Sequence, residues 1–151
     1  MVLQRVSRAS VSVDGNVIGS IARGLVVLLG VGGDDEPATA RRLAQKCAEM
    51  RLFPGDTGHF DRSLVDIGGE ALVVSQFTLL ADMRRGRRPS FGEAAPPERA
   101  APLVDAFIEA LAGAGVRVRS GRFGAMMSVE LVNDGPVTIV LDSRELDRAR
   151  R

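Results

Sequence analysis

The chain has 151 residues, a formal net charge of +1 and 45% hydrophobic residues, with six aromatics that are all phenylalanine. This is enough for one domain with a largely aliphatic core. No apolar run reaches the roughly 18 residues of a membrane span, and one cysteine with one histidine excludes an internal disulfide and any His/Cys metal cluster.

Met1–Arg5 runs directly into strand-like sequence without the apolar region of a signal peptide, so a cytosolic setting is expected. Val11-Ser12-Val13 alternates as a half-buried strand does. Asp14-Gly15 then predicts a two-residue hairpin before Val17-Ile18. Leu25 to Val31 is a continuous, β-branched-rich run, the pattern of a strand covered on both faces. Asp34 or Asp35 is the expected N-cap of a following helix, with Pro37 near its first position. The acidic run 34–36 suits a helix N-terminus. Ala40, Leu43, Ala44, Cys47 and Met50 share the apolar stripe of that helix, which makes Cys47 a core thiol rather than a nucleophile.

Pro54 to Gly58 reads as a turn-rich loop, and His59 follows it with no Ser or Cys partner in a known motif. Ala71-Leu72-Val73-Val74 is a buried strand running into Ser75-Gln76-Phe77-Thr78. Residues 82–97 read as a long loop. A second amphipathic helix carries Leu103, Val104, Phe107, Ile108 and Leu111 and stops at Gly113 and Gly115. Val116 to Arg119 alternates, and Met127, Val129 and Leu131 share one strand face. Val137 to Leu141 is the last strand, and Asn133-Asp134-Gly135-Pro136 before it is expected to be a hairpin or tight strand connection. This order predicts a mixed α/β class: a β-barrel-like curved sheet with two main helices outside it. Residues 1–143 form the expected single domain, and 144–151 an Arg-rich tail.

Nineteen of the twenty basic residues are arginine. Arg84, Arg85, Arg87 and Arg88 cluster just after the Ser75–Leu79 segment and before Pro89-Ser90-Phe91, where guanidinium groups suit bidentate phosphate contacts. The tail adds Arg144, Arg148, Arg150 and Arg151, a solvated set. No phosphate-binding Gly-Lys loop is present, since the sole lysine is Lys46 in a helix. Gly30-Val31-Gly32-Gly33 lacks dinucleotide-loop spacing. Chemistry must therefore come from hydroxyls, amides and backbone groups.

Two segments offer these. Where the strand ends at Ser75, free N–H groups can stabilise an oxyanion. Gln76 and Thr78, two residues apart, are expected to project to one face, with Ser75 and Phe77 on the other. In the second segment, Gly135 admits unusual backbone angles and Pro136 permits a cis bond, so a rigid turn can aim carbonyl oxygens at an ammonium group.

Together, Ser75-Gln76-Phe77-Thr78-Leu79 and Asn133-Asp134-Gly135-Pro136-Val137-Thr138 closely resemble the D-aminoacyl-tRNA deacylase family. The likeness includes Gln4 to Val11, Gly24 to Val31, Arg88-Pro89-Ser90-Phe91 and Gly121-Arg122-Phe123. It breaks at Gly58-His59-Phe60-Asp61, where the family commonly shows Gly-Lys-Met-Asn.

The resemblance implies the deacylase fold, no cofactor or metal, and a homodimer with sites at its interface. Each site would join Ser75–Leu79 of one subunit to a cis Gly135–Pro136 of the other, whose carbonyls hold the substrate's α-amino group. The reaction implied is hydrolysis of the ester linking a D-amino acid, and possibly glycine, to the 3′-terminal adenosine of tRNA. Gln76, Phe77 and Thr78 are the expected catalytic residues, with the Phe77 N–H as oxyanion donor. Ser75, Ser90, Phe91, Asn133, Gly135 and Pro136 are the expected substrate-binding residues, and Arg84, Arg85, Arg87 and Arg88 the tRNA-binding ones. Thr78 as a covalent nucleophile is the rival mechanism. A non-catalytic tRNA-binding barrel is the rival function.

Overall fold

β1 (Val2–Val13) and β2 (Asn16–Ile21) form the hairpin that Asp14-Gly15 predicts. These two residues have φ of 50° and 78°, the pair of left-handed angles that a type I′ turn needs. The computed structural model describes residues 1–146. Beyond the hairpin come β3 (Gly24–Leu29), α1 (Pro37–Glu49), β4 (Arg51–Pro54), β5 (Phe60–Ser63) and β6 (Glu70–Ser75). A 3-10 turn (Phe77–Leu80), α2 (Pro97–Gly113), β7 (Arg117–Ser120), β8 (Ser128–Val140) and a final 3-10 turn (Ser143–Glu145) follow.

β1 is the spine of the sheet. One edge pairs with β3 over residues 2–6 and with β2 over residues 9–13, while β8 runs antiparallel along the other edge. β3 lies parallel to β6, and β6 to β7. The sheet curls until β2 and β7 approach: a Cβ on Gly19 would sit 3.2 Å from the Ser120 carbonyl oxygen. The result is a nearly closed, barrel-like sheet. β4 and β5 form a separate small hairpin.

Alternation along the buried strands divides the core. Leu25 and Val27 of β3, with Ala71 and Val73 of β6, face the helices and meet Leu43, Ala44, Cys47, Leu103 and Phe107. Val26, Leu72 and Val74 point the other way, into a second cluster with Val6, Ala9, Val11 and Ile21. β3 and β6 are thus covered on both faces, as the uninterrupted apolar run of β3 predicts.

Two local expectations are corrected. The N-cap of α1 is Glu36, with Pro37 at the first position and no acidic residue in the first turn. The Asp35 carboxylate instead accepts from the Gly32 N–H at 2.7 Å, so it closes the loop after β3 and is not spent on the helix. The Asn133–Pro136 segment is not a hairpin. It lies inside β8, and residues on both sides of it pair with β1, Leu131 opposite Ala9 and Thr138 opposite Gln4. The register shifts between Gln4 and Arg8 absorb the Gly-Pro irregularity as a bulge.

At the C-terminal end, Arg144 lies in the last 3-10 turn and its Nη2 meets Asp142 at 2.7 Å. Leu146 packs against the helix-side core. Arg148, Arg150 and Arg151 lie outside the described residues. No helix among the described residues is long and apolar enough to cross a membrane.

Candidate active site

β6 stops at Ser75 because the chain turns, not because its ladder runs out of partners. The Gln76 N–H still donates to the Leu29 carbonyl at 2.8 Å, which pins the first residue after the strand to the end of β3. The next four residues form the 3-10 turn, so Gln76 and Thr78 come together by a route other than strand alternation. The Gln76 side-chain amide donates to Thr78 Oγ1. As the first residue of a 3-10 turn, Phe77 has no intrahelical acceptor for its N–H. Phe77, Thr78 and Leu79 are exposed, whereas Ser75 is partly covered.

Ser90 and Phe91 reach the same place by a return of the long loop. Asp82 and Ser90 exchange backbone hydrogen bonds at 2.7 and 2.9 Å, and this bridge brings Phe91 against Phe77 edge-to-face, with ring centroids 4.9 Å apart. The loop tip between the bridge residues carries the arginine cluster. Arg84 is tied back to Asp82 by Nε and Nη2 at 2.9 and 2.7 Å, and these bonds hold the Asp82 carboxyl below its ordinary range. Arg85, Arg87 and Arg88 are exposed.

The second segment is built on β8. Gly135–Pro136 is cis, and Gly135 has φ of 139°, a left-handed value that favours glycine. The Asn133 side chain holds the bulge from inside: its Oδ1 accepts from the Val137 N–H at 2.8 Å and its Nδ2 donates to Thr138 Oγ1 at 3.0 Å. Asn133 is therefore a scaffold for the loop, while Gly135 and Pro136 are exposed. Arg5 of β1 holds the bulge from the other side. Its Nε donates to the Asp134 carbonyl at 2.9 Å and its Nη1 to the Leu52 carbonyl of β4 at 2.8 Å. Arg5 was not singled out from the sequence, because its partners lie 47 and 129 residues away.

Within one chain the two segments are not joined. β1 and β3 lie between β8 and β6, so the two segments sit three inter-strand spacings apart along the curled sheet, about 14 Å when followed strand by strand. His59 is exposed near the tip of the β4–β5 hairpin, next to Phe60. Cys47 is fully buried under α1, where burial pushes its thiol up to about 12. Among the described residues, no group of three or more His, Cys, Asp or Glu side chains is placed to hold a metal ion.

The barrel-like domain thus carries an amide–hydroxyl pair at one strand end and a clamped Gly-Pro bulge on another strand. Comparison with known proteins makes this specific: residues 2–142 match the D-Tyr-tRNA(Tyr) deacylase family, and the chain belongs to it. Its activity class is accordingly D-aminoacyl-tRNA deacylation, a hydrolysis. It is 68% identical over 142 residues to a D-aminoacyl-tRNA deacylase of Roseiflexus castenholzii, covering 94% of this chain and 90% of the relative. To that of Thermomicrobium roseum it is 60% identical over 146 residues, covering 97% and 95%. Among solved structures, a c-Myc DNA unwinding element binding protein superposes with a TM-score of 0.87 at 41% identity, covering 93% of this chain and 96% of that one. A probable eukaryotic D-amino acid tRNA deacylase shares the fold, with a TM-score of 0.82 at 19% identity over 91% and 95% of the two chains.

Proposed function

We propose that this protein hydrolyses D-aminoacyl-tRNA with the substrate supplying much of the reactivity. An aminoacyl ester is already activated, and the adenosine ribose carries a neighbouring hydroxyl that assists the attacking water. Water adds to the ester carbonyl, the Phe77 N–H receives the developing oxyanion, and the acyl C–O bond breaks to leave a free amino acid and the tRNA 3′-hydroxyl. One such donor is worth about 10²–10³ in rate, and placement supplies more. Gln76 and Thr78 orient the ester, with Ser75, Ser90 and Phe91 around it.

The observation that carries this reading is the Gln76–Thr78 pair. The group in contact with the Thr78 hydroxyl is an amide donating to it, and an amide cannot take its proton. This favours substrate assistance over a covalent Thr78 route. The Gly135 and Pro136 carbonyls hold the substrate ammonium and leave no space on the L side, so a D side chain points outward and L-aminoacyl-tRNA is rejected. Glycine, with no side chain, passes the same gate.

The site is completed by a second copy of the chain. The separation of the two segments within one protomer supports this, as do the uncovered apolar side chains Phe77, Val132 and Val140. The protein should then sediment at twice its 16.1 kDa chain mass. Arg85, Arg87 and Arg88, exposed on the loop that precedes Phe91, meet acceptor-end phosphates in this reading, with Arg84 fixed by Asp82, in a cytoplasmic setting where aminoacyl-tRNA is found.

Time courses of deacylation on a matched D- and L-aminoacyl-tRNA pair test the reading. Rapid loss of the D ester with survival of the L ester is expected, and equal cleavage overturns the gate. Salt-dependent tRNA binding without ester turnover would instead establish a binding barrel. Thr78→Ala should keep substantial activity, within about tenfold of the parent, if the Phe77 backbone donor dominates. A collapse to background would establish the covalent route.

A further inference from the structure

We propose that Phe60 is a positioning residue for this reaction: its ring covers the Arg5 guanidinium, and through that group the β4–β5 hairpin fixes the Asp134–Gly135 backbone. The inference rests on the reading of Gly135 and Pro136 as the ammonium-binding element and extends it to a part of the fold that the reaction otherwise leaves without a role.

Arg5 is a short bridge between three elements. Its side chain is only 11% exposed and starts from β1, donates to the Asp134 carbonyl of β8, and donates to the Leu52 carbonyl of β4. The Asp134 carboxylate lies 3.8 Å from Nε and balances the charge. Nη2 reaches the Gly135 Cα: a Cβ placed there would be 3.0 Å from it. Beside these two carbonyl acceptors the guanidinium lies over an aromatic ring, with Arg5 Cζ 5.8 Å from the Phe60 ring centroid. That distance is within the roughly 6 Å at which the ring quadrupole attracts a cation.

The hairpin thus holds Arg5 twice, once by the Leu52 carbonyl on β4 and once by the Phe60 ring on β5. These positions are linked through the strand pairing, in which Phe60 lies opposite Pro54. Burial does not explain a phenylalanine here. Phe60 is 56% exposed and joins neither hydrophobic core. A guanidinium held on its edge and on its face stays in one rotamer, and the Asp134–Gly135 backbone bonded to it keeps one direction.

Steady-state kinetics of Phe60→Leu, Phe60→Tyr and Phe60→Ala on matched D- and L-aminoacyl-tRNA test this. Leucine keeps apolar bulk but lacks the π face. It should raise KM for the D substrate about two- to fivefold, the factor a partly exposed cation–π contact is worth, with kcat little changed. The D-to-L ratio should fall by a similar factor. Phe60→Tyr should restore both values, Phe60→Ala should be at least as impaired as leucine, and the thermal midpoints should stay together because the site is exposed. In an Arg5→Met background the leucine effect should disappear, whereas a direct contact of Phe60 with tRNA would persist there. The proposal is overturned if leucine matches the parent, if tyrosine fails to restore, or if the leucine effect survives the loss of Arg5. A parent protein that leaves D-aminoacyl-tRNA intact would instead remove the deacylase reading and this role with it. An active parent with an indifferent Phe60→Leu removes this role alone.

Discussion

On the helix side of the sheet, Leu25, Val27 and Leu29 meet Leu43, Cys47, Leu103 and Phe107, and every one of these side chains is buried. Along β8, Val129, Val132 and Val140 keep 36%, 39% and 74% of their surface open. The first region is held by close-packed aliphatic contact and is complete within one chain. The second is held by a few directed polar bonds, from Arg5, Asn133 and the β1 ladder, and it presents the Gly-Pro bulge outward. Packing energy and the proposed site therefore occupy different places, so stability and turnover should respond to different substitutions.

The largest effect should come from the packed side. Phe107 is fully buried at the centre of α2, and Phe107→Ala is expected to cost about 3–5 kcal/mol of unfolding free energy. Denaturant titration gives this directly. The activity of the fraction still folded should be close to the parent's. A variant that unfolds normally but turns over slowly would break the separation.

Gly135→Ala probes the other side. At φ of 139° an L side chain is strained by about 1–3 kcal/mol, and its Cβ would lie 2.8 Å from Val137 Cγ2 and 3.0 Å from Arg5 Nη2. Relief of these contacts must move the bulge, the Arg5 clamp or both. The expected outcome is a loss of kcat/KM of about tenfold or more that outweighs the loss of unfolding free energy, measured by deacylation and thermal melts on the same sample. Equal kcat/KM in variant and parent would remove Gly135 from the site.

The same contrast explains what could be read from sequence. The packed side follows local periodicity: the stripe Ala40, Leu43, Ala44 and Cys47 of α1 and the unbroken run of β3 each appear where their patterns place them. The bulge does not follow local signals. Asn133-Asp134-Gly135 is a strong short-range turn sequence, yet β1 is 12 residues long and pairs on both sides of it, so a partner more than a hundred residues away decides the outcome. Asp35 shows the same competition on a smaller scale, since the Gly32 N–H takes the carboxylate that a helix N-terminus would have used. Gln76, Thr78 and Gly135 could be singled out from the sequence because each lies in a contiguous segment. Arg5 carries no local mark of its role, since only the fold brings Leu52 and Asp134 to it.

The effect that is smallest at neutral pH also belongs to the packed side, and it emerges only in alkali. Burial raises the Cys47 thiol from its ordinary value of 9.0 to about 12 in the folded protein. The neutral thiol is thus favoured by folding. Its contribution is fully present below pH 9 and is lost as pH rises toward about 12, because the unfolded chain ionises first. In that window the slope is at most ~1.4 kcal/mol per pH unit for one group. Alkaline unfolding curves of the parent and of Cys47→Ala should differ by this slope, with the alanine variant flatter. At pH 8 the native thiol should resist alkylation that goes to completion in denaturant. Rapid labelling of the folded protein would show that α1 opens readily from the sheet, and would break the claim that this half of the molecule is complete in one chain.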